Sequence, residues 1–256
     1  MAGLAGGGTV LASSYRFSLN RQDLQLAKLT TPLRVAQLSD LHFGRWIGTR
    51  SIRSWVDACL AENPDLILIT GDFIDYSADE VTPLVSELAR LTAPLGVWAV
   101  WGNHDYDLGG VFLDRFRQQL EQVGVNVLVN EGVSLRNDLY LAGLDDLWKG
   151  QADVSASMAE RRPEQTCLLM AHIPDILPKV PASVDLTLCG HTHGGQVKVP
   201  FVGAVVTASA FGTRFLEGWI TEPVPAFVSR GLGMVSLPLR FLSQAEIIIF
   251  DLEPNS

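Results

Sequence analysis

Residues 33–42 read LRVAQLSDLH, an apolar run over Leu33–Leu38 that is followed at once by Asp40 and His42. A short apolar run bounded in this way is typical of a strand that is buried on both faces. The same pattern recurs at residues 66–69 and at Val97–Val100, and each run again ends in polar residues. We therefore predict three buried strands whose carboxyl ends carry the polar groups.

Amphipathic helices are predicted between these strands. Their apolar residues recur at the spacing of one helical face. The three faces comprise Ile52, Trp55, Val56, Cys59 and Leu60; then Val81, Leu84, Val85, Leu88 and Leu91, with Asp79 as the predicted cap; and Leu113, Phe116, Leu120 and Val123. Strands that alternate with helices over short links predict right-handed crossovers and a largely parallel sheet.

The second half of the chain has a different pattern, with strands joined by short turns. Strand-like stretches occur in VNVLV, VSLR, LYLAGL and AEIIIFDL and at residues 166–171, 186–189 and 197–207, with helical character around residues 152–159. We predict an α/β fold in which two mixed β-sheets pack face to face and helices cover the outside, a four-layer α-β-β-α sandwich. The predicted domain spans residues 33–256 and follows a leader and lead-in segment at residues 1–32.

Composition narrows the class of protein. The 256 residues are 47% hydrophobic and only 18% charged, which supports a large single core. The net charge of -9 argues against a nucleic-acid partner, because neutralising a phosphate backbone requires clustered Lys and Arg. Cys59, Cys167 and Cys189 lie in apolar patterns and are predicted to be reduced core residues, which favours a reducing compartment.

The N-terminal residues 1–14, MAGLAGGGTVLASS, are apolar but too short and too rich in glycine to span a bilayer. They fit either a leader or the remaining part of a longer signal or anchor. The predicted location is the cytoplasm, with peripheral membrane association as one variant and export or anchoring through this segment as the alternative.

The chain has five histidines, and each of them follows or ends an apolar run: His42, His104, His172, His191 and His193. One histidine after a strand is an ordinary loop or core residue, but all five in that position indicate one constellation. Ligands of open α/β sheets bind outside the carboxyl ends of the strands. We therefore expect these imidazoles to converge with the other polar groups found there, namely Asp40, Asp72, Asn103 and Asp105.

The donor types indicate a metal site. Carboxylates, an amide oxygen and imidazoles are ligands that suit Mn²⁺, Fe or Zn²⁺. Because no thiol is nearby, a structural zinc site made of cysteines is not indicated. Even seven of these nine groups are too many for one cation that keeps open positions. Two cations that share a carboxylate, ~3.5 to 4 Å apart, use all seven and can clamp a phosphoryl group.

The ordered set D-x-H, G-D, G-N-H-D, a lone His and G-H-T-H, spread over residues 33–195, resembles the calcineurin-like metallophosphoesterase superfamily. Each piece alone is weak, but five pieces in this order are specific. The stretches SDLHFG, GHTHGGQ and SRGLG are similar to the narrower branch of bacterial YkuE/YaeI-type phosphodiesterases. That branch includes a chlamydial-type UDP-2,3-diacylglucosamine pyrophosphatase.

The resemblance implies a role for each matching residue. The first metal would be held by Asp40, His42 and His193, the second by Asn103, His172 and His191, and Asp72 would bridge the two. His104 would give a proton to the leaving oxygen, with Asp105 holding its orientation. The implied substrate contacts are Arg230, Asn103 and His104. The implied cofactors are two divalent ions, Mn²⁺ first, with Zn²⁺ or Fe as alternatives.

The implied activity is cleavage of a phosphodiester or pyrophosphate by a metal-bridging hydroxide, with a lipid-linked substrate such as UDP-2,3-diacylglucosamine as one option. The alternatives are a phosphomonoesterase and a non-catalytic, metal-binding scaffold for protein interaction. The further candidates for phosphate binding are Arg45, Arg50, Arg214 and Arg240, beside the preferred Arg230. Two apolar segments, FVGAVVTASAFGTRF and MVSLPLRFL, either cover an acyl chain, touch a membrane or pack in the core.

Overall fold

The apolar runs form the inner strands of two six-stranded sheets in the computed structural model, which describes residues 14–75 and 80–255. The strands of the first sheet are β1 (Phe17–Leu26), β2 (Leu33–Leu38), β3 (Leu66–Thr70), β4 (Val97–Val100), β5 (Val125–Val127) and β14 (Ala245–Pro254). Their order is β1-β14-β2-β3-β4-β5. Strands β2 to β5 are parallel, and β14 runs antiparallel to β2.

The second sheet has four parallel strands between two antiparallel edges. Its strands are β6 (Glu131–Arg136), β7 (Leu139–Gly143), β8 (Thr166–Met170), β9 (Leu186–Cys189), β12 (Gly218–Ile220) and β13 (Ala226–Val228). The order is β12-β13-β9-β8-β7-β6, with β7, β8, β9 and β13 parallel. Strands β2 and β4 of the first sheet and β8 and β9 of the second end in the loops that carry the histidines, so their carboxyl ends meet at one edge.

The helices lie mainly on the outer face of the first sheet. They are α1 (Thr49–Ala61), α2 (Thr82–Leu88), α3 (Asn103–Tyr106), α4 (Gly110–Gln122) and α5 (Val154–Ser157). The apolar faces of α1, α2 and α4 share one core with the inner residues of the first sheet. A short 3₁₀ helix, Pro174–Lys179, packs on the outer face of the second sheet.

A second core lies between the two sheets, because neighbouring residues of a strand point to opposite faces. In β2, Val35 points to the core between the sheets and Ala36 points to the core under the helices. The predicted α/β class with two face-to-face mixed sheets flanked by helices is therefore confirmed.

Some local predictions differ from the structure. The strand predicted over residues 197–207 is wrong, because most of this segment is exposed loop around a short hairpin of β10 (Lys198–Val199) and β11 (Gly203–Ala204). Strand β1 lies in the predicted lead-in segment and pairs with β14 in the first sheet. Helix α2 follows Val81, and Asp79, its predicted cap, lies outside the described residues, as do residues 1–13.

The three cysteines are buried and free, as predicted. Within residues 14–75 and 80–255, none of the helices combines the length and the apolar character that crossing a bilayer would require.

Candidate metal centre

The loops after β2, β3, β4, β8 and β9 carry the predicted ligands and meet where the two sheets face each other. Contacts between the sheets hold this junction. The backbone N–H of His191 donates to both carboxylate oxygens of Asp40, at 2.9 and 3.1 Å. The Nδ1 atom of His172 lies 2.8 Å from the backbone oxygen of Thr70. The two sheets thus fix one set of side chains between them.

A first cluster consists of Asp40, His42 and His193, each of them buried. The two imidazoles approach with their Nε2 atoms 3.0 Å apart. The Nε2 atom of His193 is also 3.4 Å from Oδ1 of Asp40. One donor atom from each residue lies within 4.8 Å of the others, which is close enough for a single cation to bind all three.

A second cluster consists of Asp72, His172 and His191. Oδ2 of Asp72 is 3.1 Å from Nε2 of His172, and that nitrogen is 3.2 Å from Nδ1 of His191. The same Asp72 oxygen is 3.5 Å from Nε2 of His42, which belongs to the first cluster. Asp72 therefore connects the two clusters, in the position that a bridging carboxylate requires.

Asn103 completes the predicted set. Its side chain is buried, and its Oδ1 atom has no hydrogen-bond partner among the residues that the structure describes. It lines the same cavity as Asp72 and His191. A buried amide oxygen without a partner is costly unless something else binds it. Together with the imidazoles and carboxylates, it makes a donor set that fits borderline divalent cations.

A third group, made of His42, Asp75 and His104, also satisfies the spacing of a cation site. It shares His42 with the first cluster, so the two cannot both use that imidazole for separate ions. Asp75 has no matching position in the predicted ligand set. The structure places it against the centre and buries it.

Burial sets the charge of most of these imidazoles. It lowers the pKa of His42 and of His191 to about 3, with the positive charges of neighbouring groups acting in the same direction. Burial likewise lowers the pKa of His193, and His42 and the Arg240 guanidinium add to the effect. Neutral imidazoles are the form that binds metal ions, so these three are ready to act as ligands at neutral pH.

His172 and Asp72 behave as a coupled pair. Burial alone would lower the pKa of His172, but the charge of Asp72 and its hydrogen bond raise that pKa to about 10. Burial raises the pKa of Asp72, and the charge of His172 outweighs this and lowers it well below its usual value. A proton on His172 and a divalent cation thus compete for the same carboxylate and imidazole.

The backbone at the ligands has an unusual conformation. Five predicted ligands have positive φ: Asp40 (53°), His42 (45°), Asp72 (54°), His191 (73°) and His193 (53°). Residues other than glycine rarely adopt this region, and where they do, the strain concentrates at functional sites. Other described residues, such as Asn63 and Phe201, share this conformation, but five of the seven predicted metal ligands adopt it.

Two glycines of the motifs are required by close packing. A Cβ atom at Gly102 would overlap Oδ1 and the backbone nitrogen of Asp72. One at Gly190 would overlap Oγ of Ser39 and Oδ2 of Asp40. The loops from the two sheets can therefore approach the carboxylates only because neither position carries a side chain.

Asp105, which was predicted to orient His104, contacts the backbone of two loops in the structure. Oδ1 of Asp105 accepts from the backbone N–H groups of Phe73 and Ile74, and Oδ2 accepts from those of Asp72 and Gly102, at 2.9 to 3.3 Å. Both oxygens are thus used by the backbone, so Asp105 holds the loop that carries Asp72 in place. The His104 ring faces the carboxylate of Asp107, whose Oδ2 is 3.8 Å from Nδ1.

His104 lies beside the centre, with its ring 4.9 Å from that of His42. It also lines the cavity, together with Asp72 and Asn103. Its backbone N–H donates to Oδ1 of Asp72 at 2.9 Å, which fixes the ring next to the second cluster. The side chain is therefore placed between the candidate ligands and the space open to a substrate.

None of the five candidate arginines is among the described residues that line the cavity over the centre. Arg230, the preferred candidate, forms an ion pair with the buried Glu246 and is not among the cavity-lining residues. Arg240 is buried and donates to the backbone oxygen of Gly233, with Nη2 also 3.1 Å from Nδ1 of His193. Its guanidinium is held by the protein itself. Arg45 and Arg214 lie over aromatic rings, those of the adjacent Trp46 and Phe215.

A cavity of about 590 Å³ opens over the centre. The candidate ligands form one wall, and the rest is largely apolar, with Trp148, Val205, Val206, Leu237 and Leu239 among the lining residues. The Trp148 ring meets His191 edge-on, with centroids 4.4 Å apart. Sequence reasoning missed Trp148 because it lies in an irregular loop without a motif or a periodic pattern.

Comparison with known proteins identifies the family. The sequence profile of the calcineurin-like phosphoesterases matches residues 33–195. The uncharacterized metallophosphoesterase YkuE of Bacillus subtilis is 34% identical over 87% of this chain and 80% of its own length. The phosphodiesterase YaeI of Escherichia coli is 29% identical over 92% of this chain and 88% of its own length.

A solved structure supports the fold. A putative 5'-nucleotidase from Staphylococcus aureus superposes with a TM-score of 0.52 at 12% identity, over 88% of this chain and 55% of that chain. This chain thus spans about half of that protein, and the likeness concerns the fold alone. The family profile and the named relatives make the protein a hydrolase of phosphate esters. The chain belongs to the calcineurin-like phosphoesterase family.

Proposed function

We propose that the protein is a dinuclear-metal hydrolase that cleaves a phosphodiester or a pyrophosphate bond. The observation that carries the proposal is the junction at Asp72, where two three-residue clusters share one carboxylate on the wall of a cavity. A site for a single structural ion would need neither the second cluster nor the open space.

Each of the two cations would have three ligands of its own and share a fourth. Asp40, His42 and His193 would bind one ion; Asn103, His172 and His191 would bind the other; Asp72 would contact both. Mn²⁺ is the first choice, with Zn²⁺ and Fe as alternatives, since all three accept nitrogen and oxygen donors. Bound divalent cations would polarise the phosphorus–oxygen bonds of the substrate and lower the pKa of water.

His104 and Asn103 would contact the reacting phosphate from the protein side. The His104 imidazole would donate a proton to the leaving oxygen, because it lines the cavity next to the ligands without belonging to the two clusters that meet at Asp72. Asp105 would act through the backbone, by fixing the loop that presents Asp72. Arg230 is no longer part of the proposed substrate site, since Glu246 already neutralises its charge.

The walls of the cavity favour a substrate with an apolar portion. Trp148, Val206 and Leu237 offer a surface for hydrocarbon, and apolar walls with a few convergent polar groups are typical of ligand sites. We therefore include a lipid-linked diester or pyrophosphate in the proposal, with UDP-2,3-diacylglucosamine as the compound to test. A protein acting on such a substrate would reach it through peripheral contact with a membrane.

The two alternatives fit the site less well. A phosphomonoester carries a second negative charge that cationic side chains usually match, yet no Lys or Arg occurs among the described residues that line the cavity. A non-catalytic scaffold has no need for His104 beside the two clusters. Neither alternative accounts for an apolar cavity over the centre.

The test is hydrolysis by the purified protein loaded with Mn²⁺, comparing bis(p-nitrophenyl) phosphate, p-nitrophenyl phosphate and UDP-2,3-diacylglucosamine. The proposal expects the diester to be cleaved faster than the monoester, and the lipid-linked pyrophosphate to yield UMP and a lipid phosphate. Preference for the monoester would favour the phosphomonoesterase. Bound metal without turnover of any compound would favour the scaffold.

A further inference from the structure

The residues that were predicted as a strand over 197–207, together with residues 234–242, form an exposed apolar surface. We call residues 197–206 and 234–242 the apolar face. Its large exposed side chains include Phe201, Val202, Val205, Val206, Leu237 and Leu242. Soluble proteins rarely expose a contiguous apolar area of this kind unless it binds something.

Hydrogen bonds make the two segments one surface. The backbone N–H of Lys198 donates to the oxygen of Phe241 at 2.9 Å, and that of Phe241 donates to the oxygen of Gln196, also at 2.9 Å. The Gln196 side chain bonds in turn to both backbone polar groups of Val235, at 2.8 and 2.9 Å. The two segments therefore form one continuous surface that hydrogen bonds hold together.

The face protrudes at its tip. The β10–β11 hairpin pairs Lys198 with Ala204 and Val199 with Gly203, which leaves Phe201 and Val202 at the turn. Phe201 is 110% exposed and Val202 is 76% exposed. A second copy of the chain or a folded partner would have to offer a matching depression for this tip. A fluid hydrocarbon layer requires no such match.

The charge of the apolar face also favours a lipid surface as its partner. Although the whole chain has a net charge of -9, residues 197–206 and 234–242 contain no Asp or Glu. Their two cations are occupied, because Lys198 pairs with Glu217 and the Arg240 guanidinium is buried. The face would thus meet a lipid surface without repulsion from its own carboxylates and without strong attraction to anionic headgroups.

The face continues into the cavity over the candidate metal centre. Val205, Val206 and Leu237 belong to both, since each is exposed and also lines the cavity. A bilayer that covers the face would therefore lie at the cavity mouth. In addition, Oγ of Ser14 accepts from the backbone N–H of Arg240 at 3.0 Å, so Ser14 also lies beside the face.

We propose that the apolar face docks on a lipid bilayer, with Phe201 and Val202 inserted, so that a lipid-linked phosphoester enters the cavity directly from the membrane. Docking of the apolar face on a bilayer does not depend on the proposed function, whereas entry of a lipid-linked phosphoester into the cavity rests on it. Because the driving force is apolar burial and not ion pairing, we expect binding that persists at high salt.

The experiment is co-sedimentation of the full chain with phosphatidylethanolamine–phosphatidylglycerol vesicles, at low and at high salt. The test variant is Phe201→Ser/Val202→Ser, which leaves the cavity lining intact. The matched control is Val111→Ser, since Val111 is 72% exposed but lies on helix α4. We expect the wild type and the control to sediment with vesicles and the double variant to lose binding by about tenfold or more.

Three results would overturn the proposal: no sedimentation of the wild type, loss of sedimentation at high salt, or equal binding by the double variant, which would assign binding to residues 1–13. Light scattering gives a further check. If the wild type is a dimer that does not bind vesicles, and the double variant is a monomer, the face is a contact between copies of the chain. Cleavage of bis(p-nitrophenyl) phosphate is measured in parallel. It tests the hydrolase itself and should be unchanged in the double variant.

Discussion

Oδ1 of Asp72 accepts a hydrogen bond of 2.9 Å from the backbone N–H of His104, while Oδ2 of the same carboxylate faces the two histidine clusters. Asp72 thus couples the loop after β3 to the loop after β4, in addition to joining the candidate ligand sets. The bond uses the backbone of His104 and not its imidazole, which lines the cavity. This arrangement lets substitutions separate metal binding from proton transfer.

Asp72→Ala should remove metal binding and activity together. The substitution takes away the carboxylate that lies between the imidazoles of His42 and His172. Losing even an indirect partner of a metal ligand costs 10- to 100-fold in affinity as a rule of thumb, so we expect a loss above about 100-fold. The measurement is bound metal by elemental analysis beside hydrolysis of the diester. The control is Asp57→Ala, which removes only a surface ion pair with Arg90.

His104→Ala should keep both metals and lose turnover. The variant retains the backbone N–H that binds Asp72, so the clusters stay in place, whereas the proton donor is gone. General acid catalysis typically contributes about 10²- to 10⁴-fold, and a loss in this range is expected for a substrate with a basic leaving group. The loss should be smaller for p-nitrophenolate, which leaves without a proton. Undiminished turnover of both would exclude the assigned role.

Gly102→Ala should disrupt the centre although it adds a single methyl group. The new Cβ would overlap Asp72, so the loop must move and the carboxylate with it. We expect weaker metal binding and a lower melting temperature, since overpacking a tight site costs roughly 1–3 kcal/mol. Gly110→Ala is the matched control, because a Cβ there meets nothing within 4 Å and lies at the start of α4. A normal metal content in Gly102→Ala would contradict the packing argument.

The inner strands could be predicted from the sequence because burial on both faces leaves continuous apolar runs. Strand β1 could not, since its sequence FSLNRQDLQL is mostly polar and its side chains are only partly buried at the edge of the sheet. The apolar run at residues 197–207 gave the opposite error, because it was predicted to be a strand and is mostly exposed loop. Composition cannot tell a buried strand from an exposed apolar hairpin, because both require the same residue types.

The candidate ligands could be found because they follow the strands in chain order, and strand ends converge in α/β folds. The positions of Asp105 and Arg230 could not, because their partners are the backbone of residues 72–74 and the distant Glu246. The sequence pattern predicted that Asp105 orients His104 and that Arg230 contacts the substrate. Only the three-dimensional structure shows that each charge is already satisfied.

Asp105→Asn tests the corrected role. The amide would replace one oxygen that accepts two backbone N–H bonds, and hydrogen bonds to charged groups contribute about 1.5–3 kcal/mol each, so a destabilisation of about 3 kcal/mol or more is expected. Thermal denaturation should show it as a drop of very roughly 6–12 °C in Tm. If Asp105 instead oriented His104, the Tm would stay normal and the pH profile of kcat would shift.

Divalent metal should stabilise the protein, and the effect should weaken as the pH falls. A cation at 100 times its Kd adds about 2.7 kcal/mol to the free energy of unfolding. The pKa of His172 is raised to about 10 by Asp72, so below that pH the imidazole carries a proton that the cation must displace. Metal affinity should therefore rise with pH, by up to about tenfold per unit. Thermal shifts with Mn²⁺ at about pH 6 and about pH 8, repeated with Asp72→Ala, measure this directly. A larger shift at the lower pH, or an equal shift in the variant, would place the cation elsewhere.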